Sequence, residues 1–494
     1  MAGETNRAAP QQRAAAAKAA CWRVLAPIAT AIFLALIPAT AGFSQHAWNF
    51  ALFAGVVAAL VALIPNARPF FQAGLSAAIL AVGVGSAQAG SFAIREQSAS
   101  GMGQAFAGVA AGSAGVSSMF WNPATITDLP GWQSSANVSL FMPYANLTPQ
   151  AGTSPVLLPL GPAGNMSPSA LLPALYNSYQ LNDRLWLGVS LNAPDGLASK
   201  PRSPSASQLY SLDSKLKSGE GAVDLAYKIN EMVSVAAGLR VLYMGLNEQT
   251  ALAPIAAPPL STLKGDGWGI GYSLGATFKP SAGTELGIGY RSRITPEING
   301  TLNFDVPLPG PIPAGAYGVQ LQLPVPEAVN VGVRQRLDDR FTAAATFEWT
   351  HWSILTSVPV VGSPVPGQTA PFFYRDGWMA SLGGEYKWDS RLTLRAGIGY
   401  EQSPITDAIR EVRNPDADRK WGALGLSYAV NDRLTFDLSY AHYLPGNVSI
   451  AIVPGNPNFA LVGLPFVGNV SGRLDIVSLG LNYRWDAAAP VRKN

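Results

Sequence analysis

The sequence predicts an all-β fold: a 14-stranded antiparallel transmembrane β-barrel with a small N-terminal hatch, or plug, inside the lumen. Short turns alternate with long loops from about Ser134 to Trp485, and hydrophobicity alternates with a period of two residues between them. Bacterial barrels have short periplasmic turns and long outer loops, so this asymmetry also gives the orientation. The short turns consist of turn-forming residues: Asn182-Asp183, Asn230-Glu231, Pro280-Ser281-Ala282-Gly283, Asp338-Asp339, Asp389-Ser390 and Asn431-Asp432.

The period-2 pattern is clear in residues 392–401, because lipid-facing and lumen-facing side chains must alternate along a barrel strand. The predicted lipid-facing residues are Leu392, Leu394, Ala396, Ile398 and Tyr400, and the predicted lumen-facing residues are Thr393, Arg395, Gly397, Gly399 and Glu401. A soluble β-sandwich is the alternative, but it does not require short turns to alternate with long loops.

Composition agrees with a membrane barrel. Charged residues make up 13% of the chain, against a usual share of about 25%. The formal net charge is +3, and no run of Lys and Arg indicates a nucleic-acid partner. The single cysteine, Cys21, lies in the N-terminal segment, so the mature chain is expected to contain neither a disulfide nor a thiol nucleophile.

The first 89 residues differ from the rest and are set aside from the fold. Residues 1–67 form an N-terminal extension with two apolar runs, at 24–43 and 50–65. They are either inner-membrane spans or upstream sequence read through from a start codon chosen too early, and the second interpretation is favoured. Residues 68–89 have the form of a signal peptide, whose small residues predict cleavage between Ala89 and Gly90.

Residues 90–131 are rich in small residues and irregular, yet they join the barrel directly. The simplest place for them is the lumen, as the hatch. The barrel is then predicted over 132–485 and a C-terminal tail over 486–494. Barrel chains usually stop at an aromatic residue, whereas here the tail follows Trp485. We expect deletion of residues 486–494 to leave membrane insertion intact.

Several stretches resemble one known family. They are the opening around Phe92 and residues 96–101, 105–108 and 120–124 in the hatch, and 348–353 and 413–419 in the barrel. Together they resemble the FadL family of outer-membrane transporters of long-chain fatty acids and hydrocarbons. The resemblance implies a fourteen-stranded barrel closed by a hatch, the strand count that turns and periodicity also give.

The resemblance further implies that hydrophobic substrates pass from an outer groove to a pocket at the hatch, and leave sideways at a kinked third strand. On this sequence it points to Phe92, Asn122, Pro123 and Ala124 in the hatch and pocket. It also points to a lateral opening at Asn192, Pro194 and Gly196. Proline cannot donate a ladder hydrogen bond and glycine tolerates unusual backbone angles, which suits a break in pairing. The plain alternatives are that Pro194 ends its strand and that Asn122-Pro123-Ala124 is an ordinary turn.

The long outer loops are proline-rich and apolar, although loops that face water should be polar. Examples are residues 156–160, 251–260, 358–361 and 459–466. Contiguous exposed apolar surface usually marks an interaction site, and each buried CH₂ contributes about 0.8 kcal/mol. The loops therefore either capture an apolar ligand, or pack on one another as a lid, or do both.

Charged residues of inward parity are expected to be mostly structural, in ion-pair networks with the plug. They are Asp224, Lys228, Arg240, Arg291, Arg334, Glu348, Glu385, Arg395, Asp437 and Arg484. Arg240 and Arg395 are the candidates for contact with a substrate carboxylate, because guanidinium suits that group and both lie in mid-strand. A neutral hydrocarbon would need neither.

Enzyme classes find little support, since the mature chain has no Gly-x-Ser-x-Gly elbow, no His/Cys metal spacing and no phosphate loop. His351 and His442 point outward by parity. We therefore expect no catalytic residue, no metal and no cofactor.

The function that the sequence predicts is passive outer-membrane transport of hydrophobic compounds, with long-chain fatty acids favoured. Aromatic or aliphatic hydrocarbons are the alternative, and a nonspecific porin or a lipid hydrolase ranks lower. The expected partners are the hydrophobic ligand, outer-membrane lipid and the barrel assembly machinery, for a monomer that binds no nucleic acid.

Overall fold

The computed structural model describes residues 91–446, 448–459 and 462–486. The predicted N-terminal extension (1–67), the signal peptide (68–89) and Cys21 lie outside the described residues, as does the tail beyond Asp486.

Nearly all the regular structure is strand. In chain order the strands are β1 (Trp132–Pro149), β2 (Gly164–Asn165), β3 (Ala170–Asn182), β4 (Leu185–Asn192), β5 (Gly196–Ser199), β6 (Asp213–Lys228), β7 (Val233–Ala251), β8 (Leu260–Ser281), β9 (Thr284–Arg291), β10 (Glu297–Phe304), β11 (Gly315–Gln322), β12 (Ala328–Arg336), β13 (Phe341–Thr350), β14 (Ser357–Pro359), β15 (Thr369–Pro371), β16 (Gly377–Lys387), β17 (Leu392–Gln402), β18 (Arg419–Ala429), β19 (Leu434–Pro445), β20 (Val448–Ile452) and β21 (Phe466–Arg484).

The strands close into one antiparallel barrel. Three barrel strands are each made of two pieces, β4 with β5, β9 with β10, and β11 with β12, so the wall has 14 barrel strands. The first and last, β1 and β21, pair from Gln133–Arg484 to Pro149–Gly468, which closes the wall. Of the remaining pieces, β2 and β20 extend the wall at its outer end, and β14 and β15 form a hairpin in an outer loop. The predicted fold class is confirmed.

All six predicted short turns connect adjacent barrel strands. In four of them the first Asn or Asp caps the turn in the same way. Asn230 Oδ1, for example, accepts from the backbone N–H groups of Met232 and Val233, both at 2.8 Å. Asp338, Asp389 and Asn431 repeat the arrangement. A side chain that replaces a backbone acceptor is why these residues favour turns.

The predicted alternation along β17 is also confirmed. Ile398 is 65% exposed on the outer face. On the inner face, the carboxylate of Glu401 accepts from the hatch residue Arg95, and a Cβ built on Gly397 would lie 2.3 Å from the carbonyl oxygen of Gln104 in the hatch.

The hatch occupies the lumen and consists of single turns. It contains one α-helix, α1 (Ala99–Met102), and three 3₁₀-helices at Val109–Ala111, Gly115–Phe120 and Pro123–Asp128. Its apolar residues Met102, Phe106, Trp121 and Ile126 are almost wholly buried. Within the described ranges, no helix has both the length and the apolar character needed to cross a membrane.

The outer loops pack against one another. Leu157, Leu209, Val412 and Phe466, from four separate loops or strand ends, belong to one buried cluster. Other residues of the apolar loops stay open to solvent, since Val156 is 54% and Val361 60% exposed. The loops thus form a self-packed lid that still presents apolar surface.

Candidate functional site at the hatch and the third barrel strand

The third barrel strand is broken where the sequence places Pro194. β4 ends at Asn192, which is paired with Glu220 of β6, and β5 begins at Gly196, paired with Lys217. Three residues on one strand therefore face two on the other, which is a bulge. Ser218 ties the bulge to β6, because its hydroxyl accepts from the N–H of Asp195 at 2.9 Å and donates to that residue's carbonyl at 2.7 Å.

The other edge of this strand loses its partner at the same height. β3 pairs with β4 only up to Leu175–Leu191, although β3 itself extends to Ala170 and stays paired with β1. The wall ladder between the second and third barrel strands therefore ends beside the bulge. Pro194 does more than end a strand, because the chain resumes as β5 on the same partner, β6.

The start of the hatch forms a short antiparallel pairing with the bulge. The N–H of Ile94 donates to the carbonyl of Pro194 at 2.7 Å, and the N–H of Gly196 donates to the carbonyl of Phe92 at 2.7 Å. Ala93 and Asp195 face each other between these two bonds. We call residues 92–94 the hatch strand. Backbone groups that the break leaves without a wall partner are thus satisfied by the plug.

A series of side-chain hydrogen bonds connects Asn192 to the same arrangement. Its Nδ2 donates to the hydroxyl of Tyr176 at 2.8 Å, and that hydroxyl donates to the carbonyl of Gln97 at 3.0 Å. Gln97 in turn donates through Nε2 to the carbonyl of Ala193 at 2.9 Å. The structure therefore brings all three predicted opening residues, Asn192, Pro194 and Gly196, into contact with the hatch or its hydrogen-bond network.

The side chain of Phe92 lies in an apolar cluster that extends into the outer loops. Its ring is 3% exposed and meets Trp352 edge-on, with ring centroids 4.7 Å apart. We call this cluster the apolar lining, and it comprises Phe92, Leu197, Leu216, Leu242, Met244, Ile294, Ile298, Leu302, Phe304, Val319, Leu321, Leu323, Val325, Trp352, Leu355, Val358, Val360, Tyr374 and Ile405. Apolar residues on the inner face of a barrel are unusual, because that face is normally polar.

The predicted pocket set divides in two. Ala124 belongs to a second buried cluster with Met119 and Ile126, not to the apolar lining around Phe92. Asn122 is wholly buried and donates through Nδ2 to the carbonyls of Ala110 at 2.7 Å and Ala276 at 2.9 Å. Its Oδ1 accepts from the N–H of Ala124 and caps the 3₁₀-helix that begins at Pro123. Asn122 thus fastens the hatch to β8.

A buried ion cluster binds the hatch to the barrel wall at Arg95, the residue that follows the hatch strand. Arg95 Nη2 lies 2.5 Å from Glu348 and 3.2 Å from Glu401, and Arg419 lies 2.8 Å from Glu401. Burial alone would lower the pKa of Arg95, but the two carboxylates outweigh it and raise that pKa well above its usual value. Burial raises the pKa of Glu96, against the opposing effect of the Tyr443 hydroxyl, which donates to it at 2.6 Å.

The two arginines proposed for a substrate carboxylate both have protein partners. Arg240 binds Glu220, the β6 partner of Asn192, at 2.6 Å and donates to the carbonyl of Ser292 at 3.0 Å. Arg395 lies 3.5 Å from Glu385. The structure does not bring the two together, and a ligand carboxylate would have to share either guanidinium with its glutamate.

The footprint of the hatch on the wall was not predicted. Inward glycines let the hatch backbone approach the strands so closely that any Cβ would collide with it. A Cβ would lie 1.8 Å from the carbonyl oxygen of Ala110 at Gly287, and 1.8 Å from that of Trp121 at Gly289. The inward glycines that meet hatch atoms include Gly275, Gly287, Gly289, Gly383, Gly397 and Gly425. Their recurrence at lumen-facing positions of successive strands was the available signal.

These features define a class: an outer-membrane barrel whose lumen is plugged by its own N-terminal segment, with a break in the wall at the plug. The chain belongs to the family described as outer membrane protein transport protein (OMPP1/FadL/TodX), whose model matches residues 80–485. It is accordingly a multi-pass β-barrel of the Gram-negative outer membrane and a transport protein.

Relatives and solved structures agree. The chain is 28% identical to the 47 kDa outer membrane protein of Pasteurella multocida, over 84% of this chain and 99% of that protein. It is also 28% identical to the long-chain fatty acid transport protein of Salmonella typhi, over 74% and 91% of the two chains. Among solved structures, a Pseudomonas aeruginosa FadL homologue aligns with a TM-score of 0.72 at 22% identity, over 80% of this chain and 100% of that one. The Ralstonia pickettii toluene transporter TbuX aligns with a TM-score of 0.58 at 17% identity, over 79% and 98%.

Proposed function

We propose that this protein is a passive channel for hydrophobic compounds, foremost long-chain fatty acids. The outer loops capture the ligand and the apolar lining holds it. The ligand leaves sideways, into the membrane, between the second and third barrel strands. The observation that carries this proposal is the hatch strand, which links Phe92 in the apolar lining to Pro194 and Gly196 at the break in the wall.

Energetics support a ligand-driven release. Displacing the hatch strand breaks two backbone hydrogen bonds, each worth about 1 kcal/mol net, and takes the buried ring of Phe92 out of the apolar lining, which costs about 3 kcal/mol with its edge-on contact to Trp352. An acyl chain gains about 0.8 kcal/mol for each CH₂ that it buries, so burying several carbons offsets that cost. No energy source, metal or cofactor is required.

Fatty acids are favoured because two kinds of observation point to them. Curated relatives that match along most of this chain are named long-chain fatty acid transport proteins. The buried guanidinium of Arg240 is bonded to Glu220, which faces Asn192 at the edge of the break, and a ligand carboxylate could share it with Glu220. Aromatic or aliphatic hydrocarbons are the second candidate, and they would use the apolar lining alone. Outer-membrane lipid and the barrel assembly machinery are the proposed partners of a monomer.

A disulfide across the hatch strand tests the route. Ala93 and Asp195 form a non-hydrogen-bonded antiparallel pair, in which Cα atoms are about 4.5 Å apart and a disulfide fits. The only cysteine of the sequence, Cys21, precedes residue 90, so Ala93→Cys/Asp195→Cys in residues 90–494 behind a standard signal peptide introduces the only two thiols. Uptake of labelled long-chain fatty acid, with toluene in parallel, is measured in cells lacking their own transporter.

We expect the oxidised variant to lose saturable uptake and dithiothreitol to restore it. The matched controls are the two single-cysteine variants, Ala93→Cys and Asp195→Cys, which change the same positions but cannot form the disulfide. Unchanged uptake with the disulfide formed would exclude release through the hatch strand. Uptake of neither substrate by the unsubstituted protein, despite a folded surface barrel, would overturn hydrophobic transport itself.

A further inference from the structure

The outer wall carries a band of basic side chains on three successive barrel strands. Lys420 of β18, His442 of β19 and Arg473 of β21 all point away from the lumen. Lys420 is exposed, and the side chains of His442 and Arg473 are 37% and 61% exposed. The lumen-facing neighbours Arg419 and Tyr443 are buried, which fixes this parity. We call the three residues the basic band.

The register brings these residues close together. His442 faces Asp475 directly across the β19–β21 ladder, and Arg473 precedes Asp475 by two residues on β21, toward the outer end of the strand. Gly422 faces His442 across β18–β19, so Lys420 is a diagonal neighbour of His442. Diagonal pairs on one face are about 7–8 Å apart, within the span of a single headgroup.

Asp475 organises two members of the basic band. It accepts from His442 Nδ1 at 2.7 Å and lies 3.5 Å from Arg473 Nε. The Tyr440 hydroxyl also donates to it at 2.6 Å, and Arg473 lies over the ring of Tyr144 at 5.5 Å. These contacts engage His442 Nδ1 and Arg473 Nε, and within the described residues His442 Nε2 and the terminal nitrogens of Arg473 make no hydrogen bond. Lys420 has no ion pair within the part of the chain that the structure describes.

The height of the band can be counted from the periplasmic turns. His442 lies ten residues beyond Asp432, and Asp475 lies ten residues before Trp485. Ten residues rise about 33 Å along a strand, or about 25 Å along the barrel axis at a tilt of about 40°. That rise equals the height of the apolar band of such barrels, about 25 Å. The basic band therefore lies at the level of the outer-leaflet headgroups.

An apolar groove adjoins the basic band at Lys420 and extends sideways along the outer face, across β17, β16 and β13 to β12. The groove has a volume of about 960 Å³, and Lys420 and Tyr400 lie at its upper end. Small residues, Ala380 and Gly422, form its floor, and Phe347, Leu382 and Ile398 form its walls. A Cβ built on Gly422 would meet no atom within 4 Å, so the floor is open.

From this geometry we infer a lipid site on the outside of the barrel. It takes a phosphorylated, acylated lipid of the outer leaflet, with its phosphate on the basic band and an acyl chain in the groove. The basic band attracts the phosphate of the headgroup, and the groove buries the acyl chain. A free phosphate would occupy only the basic band, and a neutral acyl chain only the groove. The site lies outside the lumen and does not depend on what the channel carries.

A similar cluster on another part of the wall supplies a control. Arg293, Glu327 and His351 also point outward at the outer rim, on barrel strands seven to nine, and Glu327 Oε1 lies 2.7 Å from His351 Nδ1. Arg293 is 3.7 Å from Glu327 and 52% exposed. This cluster has an arginine, a histidine and a carboxylate but no outward lysine beside it, so Arg293→Gln changes charge at the same height without touching the basic band.

The test measures retention of purified lipid A by the detergent-solubilised barrel, residues 90–494, using native mass spectrometry. The variants are Lys420→Gln/Arg473→Gln, Gly422→Leu to fill the groove, and Arg293→Gln as the control. Dephosphorylated lipid A and inorganic phosphate are the two other probes. Heat-modifiable mobility on gels confirms that each variant is folded.

We expect the double variant to bind lipid A roughly 25-fold more weakly, from about fivefold for each basic residue near a lipid phosphate. Gly422→Leu and removal of the phosphate should each weaken binding, and Arg293→Gln should leave it unchanged. Equal retention by the double variant and by Arg293→Gln would refute the site. Inorganic phosphate that binds as tightly as lipid A would also refute it, because the groove would then have no part.

Discussion

The hatch has two regions that are attached to the barrel in different ways. From α1 to the turn at Asn122, its backbone lies against inward glycines, and Asn122 is bonded to β8. The hatch strand is held by two backbone hydrogen bonds and the ring contact between Phe92 and Trp352. The first region cannot shift unless the wall also moves. The few contacts of the hatch strand, in contrast, can be replaced by contacts with other extended backbone or apolar groups. A plug can therefore stay in place while its end moves.

The largest effect should follow from filling the glycine contacts. In Gly287→Ala the new methyl group would lie 1.8 Å from the carbonyl oxygen of Ala110, and both sides of the contact are backbone. We expect the hatch to be expelled or the barrel to misassemble, because no side chain can move aside. Heat-modifiable mobility and sensitivity of cells to large hydrophilic antibiotics measure this. Gly422→Ala, on the outer face with open space around its Cβ, should behave as the unsubstituted protein.

Arg95→Met tests the junction between the two regions. It leaves Glu348 without its 2.5 Å partner and Glu401 with Arg419 alone. Removing one member of a buried ion cluster costs about 3 kcal/mol, because the remaining charge stays buried. We expect more frequent open events in planar-bilayer conductance with the barrel still folded. Arg184→Met, at an exposed periplasmic turn, is the control; equal conductance of both variants would show that the ion cluster does not hold the hatch.

Phe92→Ala should affect the hatch strand alone. Truncating this buried ring removes its packing in the apolar lining as well as the edge-on contact with Trp352, about 3 kcal/mol in all, which corresponds to roughly a hundredfold more opening. Hydrogen exchange at the amides of Ile94 and Gly196, which form the two bonds, should accelerate by that factor. The amide of Gly108, bonded to the wall at Thr346, should not change. Equal acceleration at all three amides would mean that the hatch moves as one unit.

Sequence reasoning succeeded where the determinants are local. Four of the six turns depend on Asn or Asp side chains that cap backbone groups two or three residues away, and strand parity depends on period-2 alternation. The break at Pro194 was accessible because proline lacks an amide hydrogen. The wall partners of Arg95 and Asn122, which are Glu348, Glu401 and Ala276, lie 154 to 306 residues away, and no local pattern encodes such pairings. Arg240 illustrates this limit: its parity was readable, but its bond to Glu220 was not.

Glu96→Gln should give the smallest effect and one that depends on pH. Burial raises the pKa of Glu96 above its ordinary value of 4.5 in the docked hatch. A raised pKa in the docked state means that docking is tightest below the ordinary value and weakens as pH rises through the higher one. Open events in planar bilayers should therefore become more frequent for the unsubstituted protein as pH increases from about 4.5. Glutamine resembles the protonated acid and can still accept from Tyr443, so its response should be flat. The same slope in both proteins would assign the pH dependence to another group, and a steeper slope in the variant would reverse the sign argued here.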